Sequence, residues 1–110
     1  MASFEAGLKT LLGNLVSGRC YALVNESPTI VCPYIIFQVV TETKLVQGQK
    51  KLRLQIDVYG KTYTSAKTTA DAVQAAMDGP TFATSFIMQQ DLREEVSKEY
   101  RELLEYYVWP

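Results

Sequence analysis

Nucleophilic, acid–base and metal chemistry draws on a short inventory of side chains, and here that inventory is thin. Histidine is absent, and the two cysteines, Cys20 and Cys32, are not spaced as a close metal-binding pair. A zinc site needs about four Cys, His or carboxylate ligands in a compact set, and that set is missing. The run Ser17-Gly18-Arg19-Cys20 could be imagined as a nucleophile setting, yet no base stands with it. General-base work without histidine falls to a carboxylate, lysine or tyrosine of shifted pKa held in a cleft. The richest carboxylate source, Glu94, Glu95, Glu99, Glu102 and Glu105, reads as a charged, solvated run. The six glycines are dispersed and form no dinucleotide or phosphate-loop fingerprint. Seven tyrosines and Trp109 could stack nucleobases, but the net charge of -1 lacks the Lys/Arg excess that neutralises phosphates. Packing or interface use is the better account of them. The expectation is no catalytic residue, no cofactor and no metal, with Cys20 and Cys32 as reduced, free thiols.

By size, 110 residues form one domain, and a chain of this length buries roughly 65% of its unfolded surface. No apolar run approaches the ~20 residues that span a bilayer. The start, Met1-Ala2-Ser3-Phe4-Glu5, lacks a charged segment followed by an apolar one. A soluble protein that is not secreted, with no membrane partner, is expected.

The most determined stretch is Pro33 to Gly60, two extended runs joined by a polar turn. Leu52, Leu54, Ile56 and Val58 alternate with Arg53, Gln55, Asp57 and Tyr59, so strand geometry sends the aliphatic set to one buried face. Tyr34 to Thr41 is dense in β-branched and aromatic residues, which suit a pleated surface. Gly48 supplies the positive φ that the reversal needs. A long β-hairpin follows, predicted at the centre of its sheet.

Before it, residues 3–16 read as a helix, with Ser3 as N-cap and Phe4, Leu8, Leu11, Leu12 and Leu15 as its apolar stripe. A break is expected near Gly13-Asn14. Arg19 to Leu23 reads as a short strand, and Asn25 to Pro28 as a loop. After Gly60 the period changes from two to about 3.6: Tyr63, Ala66, Ala70, Val73 and Met77 line a second, Ala-rich helix capped by Thr62 or Thr64. Asp78-Gly79-Pro80 stops it. Thr81 to Gln89 reads as a strand with Phe82, Thr84, Phe86 and Met88 on one face. From residue 91 onward, charge content supports a helix and aromatic density supports a strand, and the residues alone leave both open.

In order, "SGRCY", "PYIIFQVV", "LRLQIDVYG" running directly into "KTYTSAKTTADAVQAAM", and "YRELLEYYVW" resemble the small tail-completion, or tail-terminator, proteins of long-tailed bacteriophages and prophages. The resemblance spans about residues 8–109 and rests on pattern, most specifically on the strand that ends in an aromatic residue and Gly and passes into an Ala-rich helix. It implies an α+β fold: a mostly antiparallel sheet built around the hairpin and flanked by the N-terminal and Ala-rich helices. It also implies that Tyr100 to Trp109 is a strand, while Leu92 to Glu99 is more charged than the pattern suggests.

By the same resemblance, the expected function is structural. Copies form a homo-oligomeric ring, a hexamer, that caps the head-proximal end of the tail tube and joins it to the head. Partners are then the chain itself, the tail tube protein and head-tail connector proteins, with genome DNA passing through without sequence-specific binding. Localisation is the virion tail, after synthesis in the host cytoplasm. Other readings are a connector or stopper protein, or a small ligand-binding regulatory domain. The residues assigned to an interface are Leu45, Val46, Lys50 and Lys51 at the hairpin tip, and Tyr107 and Trp109 on the C-terminal strand. The tip mixes apolar and basic side chains, and the strand is apolar on both faces.

Overall fold

A strand with one strictly apolar face must find a cover for it, and the rest of the chain supplies that cover. The computed structural model describes residues 3–22, 32–45, 48–94 and 99–109. In chain order the elements are α1 (Ser3–Gly13), β1 (Cys20–Ala22), β2 (Tyr34–Lys44), β3 (Lys50–Gly60), α2 (Tyr63–Met77), β4 (Ala83–Glu94) and β5 (Glu99–Trp109). The strands form one sheet ordered β1-β2-β3-β5-β4, antiparallel throughout except that short β1 runs parallel to β2. The expected α+β architecture is therefore present, with the hairpin strand β3 in the middle.

Register shows how the core is assembled. Val58 stands opposite Ile35 and Glu102, and Ile56 opposite Phe37 and Leu104, so three strands send alternate side chains to the same side. Ile35, Phe37, Leu54, Ile56, Val58, Leu104, Tyr106 and Val108 are buried there. Both helices pack on this face through Leu8 and Leu12 of α1, Val16 just after it, and Ala70, Val73 and Met77 of α2. The turn at the hairpin's end uses Gly48 at φ +79, as its residue type predicts.

Local chemistry explains the helix limits. α1 stops at Gly13, where the expected break lies, and the chain continues in tight turns through Val16. The side chain of Ser3 lies outside the described set, as do Leu23 and the whole predicted loop 25–28. At α2, Thr62 is the N-cap: its hydroxyl oxygen accepts from the Ser65 amide at 3.0 Å. At the other end, Asp78 caps the helix and the Thr84 hydroxyl donates to the Met77 carbonyl at 2.8 Å. That bond satisfies one of the carbonyls a helix leaves open. Gly60 has a separate role. A Cβ there would lie 2.7 Å from the Ala66 backbone nitrogen, so only glycine lets α2 turn back this closely onto β3.

The structure corrects three expectations. Tyr63 does not join the buried stripe of α2 but is 46% exposed in the first turn. β4 runs to Glu94, beyond the predicted Gln89, because cross-strand pairing with β5 continues to Glu94↔Glu99. Phe86 and Met88 do not share a face: the register shifts between them, and a bulge at Ile87 turns Met88 to the opposite side. A similar shift after Val39 leaves Val40 unpaired and 43% exposed. The open question at the C-terminus closes on strand for 91–94 and 99–109, while residues 95–98 lie outside the described set.

Two stability measurements check this account. Ile56→Ala should cost about 2–5 kcal/mol in chemical denaturation, from lost transfer energy and a cavity. A cost under about 1 kcal/mol would mean the apolar face is not the buried one. Gly60→Ala should cost roughly 1–3 kcal/mol through overpacking against α2, and a neutral outcome would show that the helix can retreat freely.

Candidate functional site

β5 ends where β3 begins, so the C-terminal strand and the hairpin tip meet at one extremity of the sheet. Leu52 pairs with Val108 and Arg53 with Tyr107. Lys51 lays its ammonium 4.0 Å from the centre of the Tyr107 ring, and Tyr107 lies 6.4 Å from Trp109 between ring centres. Trp109 also lines an open groove of about 540 Å³ with Gly48, Gln49 and Lys50. The tip residues Thr43, Lys44, Leu45, Gly48, Gln49 and Lys50 are exposed. Glu42 pairs loosely with Lys50 at 3.6 Å. Of the residues singled out from sequence, Lys50, Lys51, Tyr107 and Trp109 therefore converge on one surface. Leu45 stands exposed on the same tip, its amide donating to the Gln49 carbonyl at 2.7 Å, and Val46 lies outside the described residues.

The helix-free face behind this end is self-sufficient. Arg53 donates to Glu105 at 2.8 Å, Arg101 to Asp57 at 3.0 Å, and Gln55 to the other Asp57 oxygen at 3.0 Å. Tyr34 stacks on Tyr59 at 4.7 Å. A sheet covered on one side needs a polar opposite side, and this ladder of paired charges provides it. Two of the exposed large hydrophobic side chains, Leu45 and Trp109, stand at the tip end, while Val40, Tyr63 and Phe86 are exposed elsewhere. Among the large hydrophobics, Leu45 is 37% and Trp109 36% exposed.

The carboxylate run differs from its sequence reading. Glu102 is 1% and Glu99 8% exposed; alternation turns Glu102 to the helix-covered side with Leu104 and Tyr106, whereas Glu99, on the opposite face, is covered by Tyr34 and Cys32. Glu99 accepts from the Tyr34 hydroxyl at 3.1 Å and from the Cys32 thiol at 3.0 Å. Glu105 is held by Arg53, and the side chains of Glu94 and Glu95 lie outside the described set. The pattern that could have exposed this is Leu104, Tyr106 and Val108 on even numbers, which carries Glu102 to the buried side.

None of these groups is arranged for chemistry. Burial pushes the Cys20 thiol up to about 11, and burial with the Glu99 hydrogen bond pushes Cys32 up to about 12. Both are free thiols. Arg19 is occupied, donating to the Pro33 carbonyl at 2.9 Å. Among the described residues no three His, Cys, Asp or Glu side chains gather as a metal site, and no helix is long and apolar enough to cross a membrane.

Comparison with known proteins gives a consistent result. Residues 5–109 match the family model described as "Tail completion protein gp17". A solved chain from "Virion of native gene transfer agent (GTA) particle" shares the fold, with TM-score 0.62 and 19% identity over 89% of this chain and 82% of that one. No curated protein matches.

The thiol environment makes a chemical prediction. In the folded protein at neutral pH, iodoacetamide should alkylate Cys20 and Cys32 far more slowly than after unfolding, since the thiolate is the nucleophile. Equal rates would overturn the burial argument. Both thiols titrate higher when folded than the ordinary 9.0, so their contribution to stability is complete below that value. It is lost as pH rises through about 11 and 12.

Proposed function

The chain belongs to the tail completion protein gp17 family and is a structural protein of the phage virion tail, and from that premise we propose that it works as a homo-oligomeric ring. The ring, six-fold by the family resemblance, caps the head-proximal end of the tail tube and joins tail to head. The tail tube protein and the head-tail connector proteins are its partners, and genome DNA passes through without base-specific contacts.

One observation carries this reading to particular residues. The hairpin tip and the end of β5, remote in sequence, form a single exposed extremity with Leu45 and Trp109 beside Lys50 and Lys51. Aromatic side chains such as Trp109 are enriched at the centres of interfaces, and the lysines beside it suit the polar rim. The molecule is elongated, 45 × 27 × 24 Å, so one end of it can reach a neighbouring copy or the tube. On the helix-free face the charges of Arg53, Glu105, Arg101 and Asp57 are paired within the chain, which suits a part that works by shape without turnover.

Light scattering after size-exclusion chromatography tests the ring. The wild-type chain should assemble, whereas Trp109→Ala combined with Lys51→Ala should give a folded monomer. Each truncated anchor of this kind should cost about 1–2 kcal/mol or more of association free energy. In a complementation assay the same variant should leave separate heads and tails. An unchanged oligomer with normal joining would remove this end from the interface, and a wild-type chain monomeric at all concentrations would remove the ring.

A further inference from the structure

We propose that the hairpin tip of one copy docks on the outer face of α2 in a second copy, setting its lysines against Asp71 and Asp78. The contact rests on the assembly proposed above and names the surface that the tip meets. Register leaves the tip without a neighbour of its own among the described residues. The last β3–β5 pair there is Leu52↔Val108, and β1 covers β2 only from Ile35 to Phe37. Beyond those pairs β2 and β3 hold only each other, out to Lys44↔Lys50. From Glu42 to Lys51 the chain carries three lysines and a single acidic side chain. Glu42 stands 3.6 Å from Lys50, Lys51 rests on the Tyr107 ring, and Lys44 has no ion pair among the described residues. The projecting tip is therefore net positive and exposed.

The outer face of α2 has the opposite sign. Lys67 is the one cation within the helix, and it is consumed by Asp91 at 3.1 Å and Glu102 at 3.4 Å. Asp71 and the capping Asp78 are exposed and form no ion pair among the described residues. Two helical turns separate them, so both carboxylates stand on one face. Thr64, Thr68 and Ala75 are exposed on that face too, and all are short. No long side chain there holds an incoming hairpin away from the carboxylates. On α1, Glu5 and Lys9 balance each other in charge, and Lys61 stands before the opposite end of α2, so the acidic excess belongs to the Asp71–Asp78 half.

Both halves of this contact lie on the same chain, so one kind of chain is enough to build it. Among the described residues they make no ion pair with each other within a single copy. A tip and a helix face are different surfaces, so the contact between copies runs head to tail and repeats, which is how a ring closes. Lys44 and Lys50 face each other across the hairpin, and their long stems bring both charges to bear on the two carboxylates. Such pairs at a wet rim set alignment and partner choice more than they add affinity. Leu45, exposed on the same tip, meets the short side chains between the acids.

Charge reversal on the full chain, read by light scattering after size-exclusion chromatography, tests the contact. Lys44→Glu with Lys50→Glu should weaken assembly by about tenfold or more, and Asp71→Lys with Asp78→Lys should do the same. A lysine at Asp78 suits the C-terminal end of a helix, so the second variant should stay folded by circular dichroism. Mixed in equal amounts, the two variants should assemble again as alternating copies. Each reversed tip then faces a reversed helix, and each native tip a native one. Raising salt should weaken the wild-type assembly and strengthen that of either variant alone. If a reversed variant does not fold, Asp71→Asn with Asp78→Asn should still weaken assembly and flatten its salt dependence. Folded variants that assemble like wild type, or a mixture that stays apart, would overturn this contact and leave the ring standing. A wild-type chain monomeric at all concentrations would overturn both.

Discussion

Everything in this structure depends on burying one face of β3 and leaving the other wet. Leu54, Ile56 and Val58 are fully buried beneath two helices, while Arg53 and Gln55 behind them are only half-buried. Each such aliphatic side chain contributes roughly 1.5–3 kcal/mol on burial, and a one-residue slip would forfeit the whole set at once. That penalty holds the registers of β2 and β5, and the registers decide what lies together elsewhere. Tyr107 meets Lys51, and Glu102 meets Asp91, because β3 locks the strands between and beside them.

Much of this was legible in sequence where a single period persists. The alternation along β3, the Ala stripe of α2, its Thr62 cap and its stop at Asp78-Gly79 are local signals, and local geometry honours them. Apart from Tyr63 at the first turn of α2, the misses share a cause: each depends on a partner strand. Bulges at Val40 and Ile87 reset the period in ways that pairing geometry, and not residue type, determines. The burial of Glu99 and Glu102, on opposite faces of β5, was hidden because acidic residues are seldom buried unless paired, and the pairing groups lie elsewhere in the chain. Tyr34, Cys32, Lys67 and Gln89 are distant in sequence from the carboxylates they satisfy. The candidate surface was half legible: both of its segments could be named, but their meeting at one end follows only from the sheet order.

That meeting also explains why the surface is economical in apolar area. Lys51 covers the Tyr107 ring with its ammonium, an attraction of about 0.5–1 kcal/mol at an exposed site, and so shields an aromatic that would otherwise face water. Trp109 and Leu45 remain open beside it. In the assembly proposed above, these two side chains would be the anchors, and the lysines would favour a neighbour that offers negative charge. Such a division suits a part of the tail that must fold before it meets its partners.

The opposite edge of the sheet solves a different problem. α2 presents Ala66 and Ala70 toward the sheet, small side chains that allow the close approach at Gly60 but bury little area. Farther out, β4 would gain little from apolar packing, and its Asp91 end is held by Lys67, Tyr63, Gln89 and Glu102 instead. A buried polar network of this kind is seldom more stabilising than a hydrophobic one of equal volume. What it adds is a defined geometry, set by directional bonds that methyl groups cannot make. The consequence is an uneven molecule. The hairpin side is fastened by an apolar core, and the β4 edge by hydrogen bonds and the ion pairs of Lys67.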